Sequence, residues 1–156
     1  MSGGSAEEAF KQALKFLGYR ARSETELRAK LAQSGFLPKI VALTVEKLSA
    51  LKLLDDEAFA RNFARSRIDN RSYGPLRIER ELKQKGVTQA VVRRVLDESF
   101  GKREGKEQAR ELLTKRFRGK DLGDAKNLRR AISFLQRRGY RDAVITEVLK
   151  IPIENE

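Results

Sequence analysis

The sequence predicts an all-α fold of tandem three-helix repeats. Three observations carry this. First, one spacing pattern occurs three times: Leu31, Gly35, Ile40, Val41 and Val45; Leu82, Gly86, Val91, Val92 and Leu96; Leu135, Gly139, Val144, Ile145 and Leu149. A period near fifty residues means stacked modules, each too small to bury its apolar face alone. Second, the 156 residues are 36% charged and 7% aromatic, with three prolines and no tryptophan, a helix-rich composition without the material for a β-sandwich. Third, helix start and stop signals punctuate the chain at the spacing of short helices.

Residues 6–17 place Ala6, Ala9, Phe10, Ala13, Leu14, Phe16 and Leu17 at helical spacing, and Gly18 is read as the end of that helix. Ser23 stands three residues before Glu26, a capping box that opens a second helix. Gly35 suits the left-handed residue that closes it. Pro38 suits the first turn of a third helix, whose buried stripe is Ile40, Val41, Leu43, Val45 and Leu48.

The second module opens at Asp55-Asp56, good N-cap residues, with Ala58, Phe59, Phe63 and Ala64 following. The stretch from Asn70 to Pro75 breaks that helix. Pro75 starts the next, Ile78 and Leu82 face inward, and Gly86 ends it. Thr88 caps a last helix carrying Val91, Val92, Val95 and Leu96.

Gly101 to Gly105 reads as a connector. A helix from about Lys106 to Phe117 aligns Ala109, Leu112, Leu113 and Phe117, and the stretch from Arg118 to Gly123 is a longer loop. Asp124 caps a helix with Leu128, Ala131, Ile132 and Leu135, closed by Gly139. Asp142 opens the final helix and Pro152 terminates it. The expected domains are 1–52, 53–101 and 102–156.

Lysine and arginine outnumber acids 34 to 22, for a net charge of +12 and a pI near 10.2. Such an excess favours a polyanionic partner, though it also serves solubility alone. The three expected domains hold net charges of +4, +2 and +6. The last contains Lys115-Arg116, Arg118, Lys120, Arg129-Arg130, Arg137-Arg138 and Arg141, and arginine's planar fork suits phosphates and carboxylates. The competing reading is a solvated helix face with internal pairs, such as Glu107 and Glu111 against Arg110 and Lys115. Tyr19, Tyr73 and Tyr140 each lie near a cation, where a tyrosine either stacks on a base or wedges a helix junction; for Tyr140 the wedge, with its hydroxyl in water, is the expectation.

With no cysteine and no histidine there is no thiol nucleophile, no disulfide, no thiolate zinc site and no imidazole base. No P-loop, dinucleotide fingerprint or metal-ligand spacing occurs, and Asp55-Asp56-Glu57 reads as a helix N-terminus. No catalytic residue, metal or cofactor is expected. The start, Met1-Ser2-Gly3-Gly4-Ser5, has no signal-peptide pattern, and no apolar run reaches membrane-spanning length, so the expectation is a cytoplasmic or nucleoid-associated protein without membrane contact.

Three stretches together resemble the RecX family of regulatory proteins. They are Arg22-Ser23-Glu24-Thr25-Glu26-Leu27-Arg28; Leu54-Asp55-Asp56-Glu57-Ala58-Phe59-Ala60; and Tyr73-Gly74-Pro75-Leu76-Arg77-Ile78 with Glu81-Leu82-Lys83-Gln84-Lys85-Gly86-Val87. The similarity covers nearly the whole chain and is strongest from 20 to 97. It implies a bacterial protein of three-helix repeats in an elongated, curved array. It also implies a monomeric partner of the RecA filament on single-stranded DNA, acting in DNA repair, recombination and the SOS response. Such a protein lies in the filament groove and suppresses recombinase, ATPase and coprotease activity by blocking extension or promoting disassembly. It is not an enzyme, and some members bind DNA directly. The resemblance transfers no catalytic residues. The expected RecA or DNA contacts are the arginines and lysines of the third domain named above, with Arg20, Arg22, Arg28 and Arg77 secondary. The alternative is a stand-alone DNA-binding protein of helix-turn-helix type.

Overall fold

In the computed structural model, which describes residues 4–150, there are nine α-helices and no strand among the described residues. They are α1 (Ala6–Tyr19), α2 (Glu24–Gln33), α3 (Pro38–Ala50), α4 (Asp56–Arg71), α5 (Pro75–Gln84), α6 (Gln89–Phe100), α7 (Lys106–Arg116), α8 (Ala125–Arg138) and α9 (Asp142–Val148). A 3-10 turn, Gly101–Arg103, precedes α7. The described chain forms two compact units. One runs to Asn62 and includes Leu82–Val92; the other comprises Phe63–Glu81 and the residues from Arg93 onward.

In the first unit Ser5 caps α1 by accepting from the Glu8 backbone N–H at 3.1 Å. The helix runs through Gly18 to Tyr19, one residue past the expected stop, because Gly18 does not take the left-handed φ that closes a helix. The capping box on α2 is complete. Ser23 Oγ accepts from Glu26 N–H at 3.2 Å, and Ser23 N–H donates to the Glu26 carboxylate at 3.1 Å. Pro38 occupies the first turn of α3. The core gathers Ala13, Leu27, Leu31, Val41, Val45, Leu48 and Leu54, with Phe10, Phe16, Leu17 and Phe36 packed around it. Each fully buried leucine contributes about 2 kcal/mol of apolar transfer.

The end of α5 closes onto the start of α2. Ser23, fully buried, donates its hydroxyl to the Lys85 carbonyl at 2.6 Å. Gly86, at φ +81°, sits so close that a Cβ there would lie 2.1 Å from Thr25 Oγ1. The two adjacent aspartates divide their work. Asp55 accepts from the Glu57 and Ala58 N–H groups and so caps α4, whereas Asp56 reaches across to accept from Glu24 N–H at 2.8 Å and caps α2.

In the second unit α7, α8 and α9 enclose Ala109, Leu113, Ala131, Phe134, Leu135, Tyr140, Val144, Ile145 and Val148. Asp124 caps α8 through the Asn127 N–H at 3.2 Å, and Gly139 closes it at φ +98°. That end docks on the start of α5: Gly74 N–H donates to the Arg138 carbonyl at 2.7 Å and Leu76 N–H to the Gly139 carbonyl at 2.9 Å. Only glycine fits at 139, because a Cβ would stand 2.4 Å from Arg77 Cβ.

Besides the length of α1, four details depart from the sequence reading. Leu43, expected in the buried stripe of α3, is 50% exposed. Helix α7 ends at Arg116, one residue early, and Phe117 is its C-cap. The expected opening of α9 at Asp142 holds, after an N-cap, Arg141, that makes no side-chain cap. Glu107 pairs with Arg103 instead of Arg110 or Lys115, because Arg103 lies one turn away across the connector. The Tyr140 hydroxyl donates to the Ser72 carbonyl at 2.7 Å and does not reach water, since the ring is 1% exposed. The expected stop at Pro152 lies outside the described residues.

Candidate basic interface on helix eight

Helix α8 is amphipathic because Ala131, Ile132, Phe134 and Leu135 fall on one side and turn into the core of the second unit, with half-buried Leu128 in phase with them. Its other side is exposed: Lys126, Arg129, Arg130, Ser133, Gln136 and Arg137. The helix contains no acidic residue. From Lys126 to Arg137 the face runs about 16 Å at the helical rise. None of these four cations makes an ion pair or side-chain hydrogen bond among the described residues.

Other expected site residues of this domain divide into two groups. Lys115, Arg118 and Lys120 are exposed at and after the end of α7, also without a partner among the described residues. Arg116, Arg138 and Arg141 are engaged. Arg116 and Arg138 stand 5.5 and 5.0 Å from the Phe134 ring centroid, a cation–π clamp on a buried ring that also meets Phe117 edge-on at 6.0 Å. Arg138, half-buried, donates to the Arg71 carbonyl. Arg141 pairs with Glu104 at 3.7 Å.

The secondary candidates all have partners within the chain. Arg77 lies over the Tyr73 ring at 3.9 Å, donates to the Arg137 carbonyl at 3.0 Å and shares Glu81 with Arg67. Arg28 pairs with Glu24 one turn back at 2.9 Å. Arg22 donates to the Phe16 carbonyl at 3.3 Å. Arg20 pairs with Glu26 at 2.8 Å, and Lys85 grips the same carboxylate at 3.1 Å. The structure thus brings Arg129, Arg130 and Arg137 onto one face, holds Arg22, Arg77 and Arg138 in contacts within the fold, and places Arg20 and Arg28 in exposed ion pairs. Lys126 and Ser133 belong to the face although neither sits in an arginine doublet; the signal for them is helical phase.

Burial raises the Glu26 carboxyl, but the Arg20 hydrogen bond, the Ser23 N–H and the Lys85 ammonium outweigh it and hold it at about 2. Burial likewise pushes the Asp56 carboxyl up, against the Glu24 N–H it accepts from and with the help of the nearby Glu24, Asp55 and Glu26 charges. Tyr140 is raised by burial, with Arg138 opposing and Glu111 assisting. Among the described residues no cluster of three or more His, Cys, Asp or Glu side chains is placed to hold a metal ion. No described helix is long and apolar enough to cross a membrane. Away from α8, an open groove of about 580 Å³ lies between α1 and α3 against Ala6, Phe10, Leu43, Thr44 and Ala50.

Comparison with known proteins places similarity along nearly the whole chain. Family models described as the first, second and third three-helix domains of RecX match residues 9–48, 55–96 and 104–149. A regulatory protein RecX from Halorhodospira halophila is 38% identical over 138 residues, spanning 88% of this chain and 84% of the relative. One from Mycolicibacterium smegmatis is 31% identical over 154 residues, spanning 96% and 82%. A crystal structure of regulatory protein RecX superposes with a TM-score of 0.78 at 25% identity, over 94% of this chain and 72% of that one. The structure of RecX from Lactobacillus salivarius gives 0.79 at 19% identity, over 93% and 94%, a likeness of fold.

Proposed function

Because the chain belongs to the RecX family of regulatory proteins, we propose that it is a cytoplasmic, monomeric, non-enzymatic modulator of the RecA filament on single-stranded DNA. Its three-helix repeats, taken as 1–52, 53–101 and 102–156, lie along the filament groove and restrain recombinase, ATPase and coprotease activity by blocking extension or promoting disassembly.

The observation that carries the docking surface is the outward face of α8: Lys126, Arg129, Arg130 and Arg137, exposed, unpaired and on a helix without an acid. Unpaired cations keep their full attraction for a polyanion, whereas paired ones must first break an existing contact. The filament supplies that polyanion as DNA phosphate, and direct DNA contact uses the same face. A helix-turn-helix reader would set α9 in a DNA groove. The exposed positions of α9 include Asp142, Ala143 and Glu147, which repel phosphate or read nothing.

The test is the DNA-dependent ATPase of preformed RecA filaments, titrated with this protein at several salt concentrations. Inhibition that weakens steeply with salt is the expected result. An unchanged ATPase across the whole titration removes the proposal. Sequence preference in gel shifts on duplex DNA, without any effect on RecA, favours the helix-turn-helix alternative.

A further inference from the structure

We propose that Ser133 is a phosphorylation site that switches off the α8 face, a regulation that rests on reading this face as the docking surface. Three helical threonines elsewhere in the chain turn back on their own backbone. Thr44, Thr114 and Thr146 each donate to the carbonyl four residues earlier, at 2.8, 2.9 and 2.8 Å. Ser133 Oγ makes no hydrogen bond among the described residues and stands exposed in the middle of the face.

Its helical neighbours are Arg129 four residues before, Arg130 three before and Arg137 four after, the positions whose side chains meet that of residue 133. A phosphate on Ser133 therefore arrives among three arginines that have nothing else to hold. It brings a charge of about −1.5 to −2 and three strong acceptor oxygens, enough to turn those guanidiniums inward and to halve the face's charge. The arginines also offset the repulsion between a phosphate and the C-terminal half of a helix. The same pair at 129 and 130 labels the serine for a kinase with an acidic substrate cleft.

In the reaction Ser133 Oγ attacks the γ-phosphorus of ATP held by such a serine kinase. The hydroxyl proton passes to the kinase's base, the bond between γ-phosphorus and the β–γ bridging oxygen breaks, and ADP leaves. Hydrolysis by a phosphatase restores the hydroxyl and releases inorganic phosphate.

The test compares three full-length preparations on preformed RecA filaments across a salt series: unmodified protein, protein carrying genetically encoded phosphoserine at 133, and that phosphoprotein after phosphatase treatment. The expected result is equal inhibition by the unmodified and the phosphatase-treated protein, with the phosphoprotein at least about tenfold weaker and its salt slope reduced by about 1. Circular dichroism of all three should coincide. Equal inhibition by the phosphoprotein overturns the switch. Failure of phosphatase treatment to restore inhibition overturns it as well. A phosphoprotein that loses helix overturns the charge mechanism. Failure of the unmodified protein to inhibit overturns the docking reading itself, which separates the two claims. Mass spectrometry of the protein from its own cells, before and after DNA damage, should find phosphate on the tryptic peptide 131–137; its absence in both states sinks the proposal.

Discussion

Tyr140 and Ser72, 68 residues apart, are joined by one hydrogen bond of 2.7 Å from the phenol to the carbonyl. Ser72 holds φ +54°, a left-handed conformation that costs a non-glycine residue about 1–2 kcal/mol. The bond pins this strained turn after α4 to the end of α8.

Removing the phenol therefore acts on a buried acceptor. Tyr140→Phe should cost about 1–2 kcal/mol in urea unfolding, since the Ser72 carbonyl keeps its desolvation and loses its donor. Ser72→Gly, which relieves the backbone and keeps the carbonyl, should leave stability unchanged or raise it by up to about 1 kcal/mol. A loss in both variants would mean that the Ser72 side chain does the holding.

The glycine joints should tolerate no side chain. Gly139→Ala forces a Cβ against Arg77 as well as a strained φ, and Gly86→Ala does the same against Thr25. Each should lose about 2 kcal/mol or more. Gly35→Ala, at φ +93° but with open space around its Cβ position, should lose only about 1 kcal/mol. Thermal midpoints of the three variants, ranked, check the difference between strain alone and strain with collision.

Acid should weaken the first unit through Glu26. Its folded pKa, about 2, lies below the unfolded value near 4.5, so its contribution is present above pH 4.5 and fades as pH falls toward 2. With Arg20 half in water that contribution is about 1–2 kcal/mol. Asp56, raised on folding, acts in the opposite sense: it favours the fold once protonated and loses that advantage as pH rises. Glu26→Gln should lower stability at pH 7 and flatten the decline between pH 4.5 and 2, as urea midpoints measured across that range would show.

Charge reversal should separate docking arginines from packing arginines. Arg129→Glu, Arg130→Glu and Arg137→Glu combined should change stability by no more than about 0.5 kcal/mol, yet weaken RecA inhibition at least about tenfold. Arg138→Glu should instead cost about 2 kcal/mol, because it leaves the Arg71 carbonyl without its donor and the Phe134 ring with Arg116 alone. Normal inhibition by the triple variant would dismiss this face.

Local rules made the helices legible. The Ser23–Glu26 box, Pro38, Asp124 and the glycines at 35, 86 and 139 act within one turn of themselves, and their residue types state their role. Charge was harder to read. Neighbouring residues in a helix point about 100° apart, so the doublet at 137 and 138 sends one arginine outward and folds the other over Phe134. Doublets therefore overstate Arg138 and pass over Lys126 and Ser133. Long-range pairing was hidden altogether. Nothing near Asp56 in the chain reveals that it serves Glu24, 32 residues earlier, and nothing near Arg77 shows that it holds the Arg137 carbonyl.

The hydroxyl of Ser23 meets a carbonyl that the ribosome makes 62 residues later. During synthesis the opening helices must wait, their serine hydrated and their glutamate half-matched, until Lys85 and Gly86 have left the exit tunnel. Translation speed across that interval sets how long the nascent N-terminal bundle stays unlatched and open to proteases or chaperones.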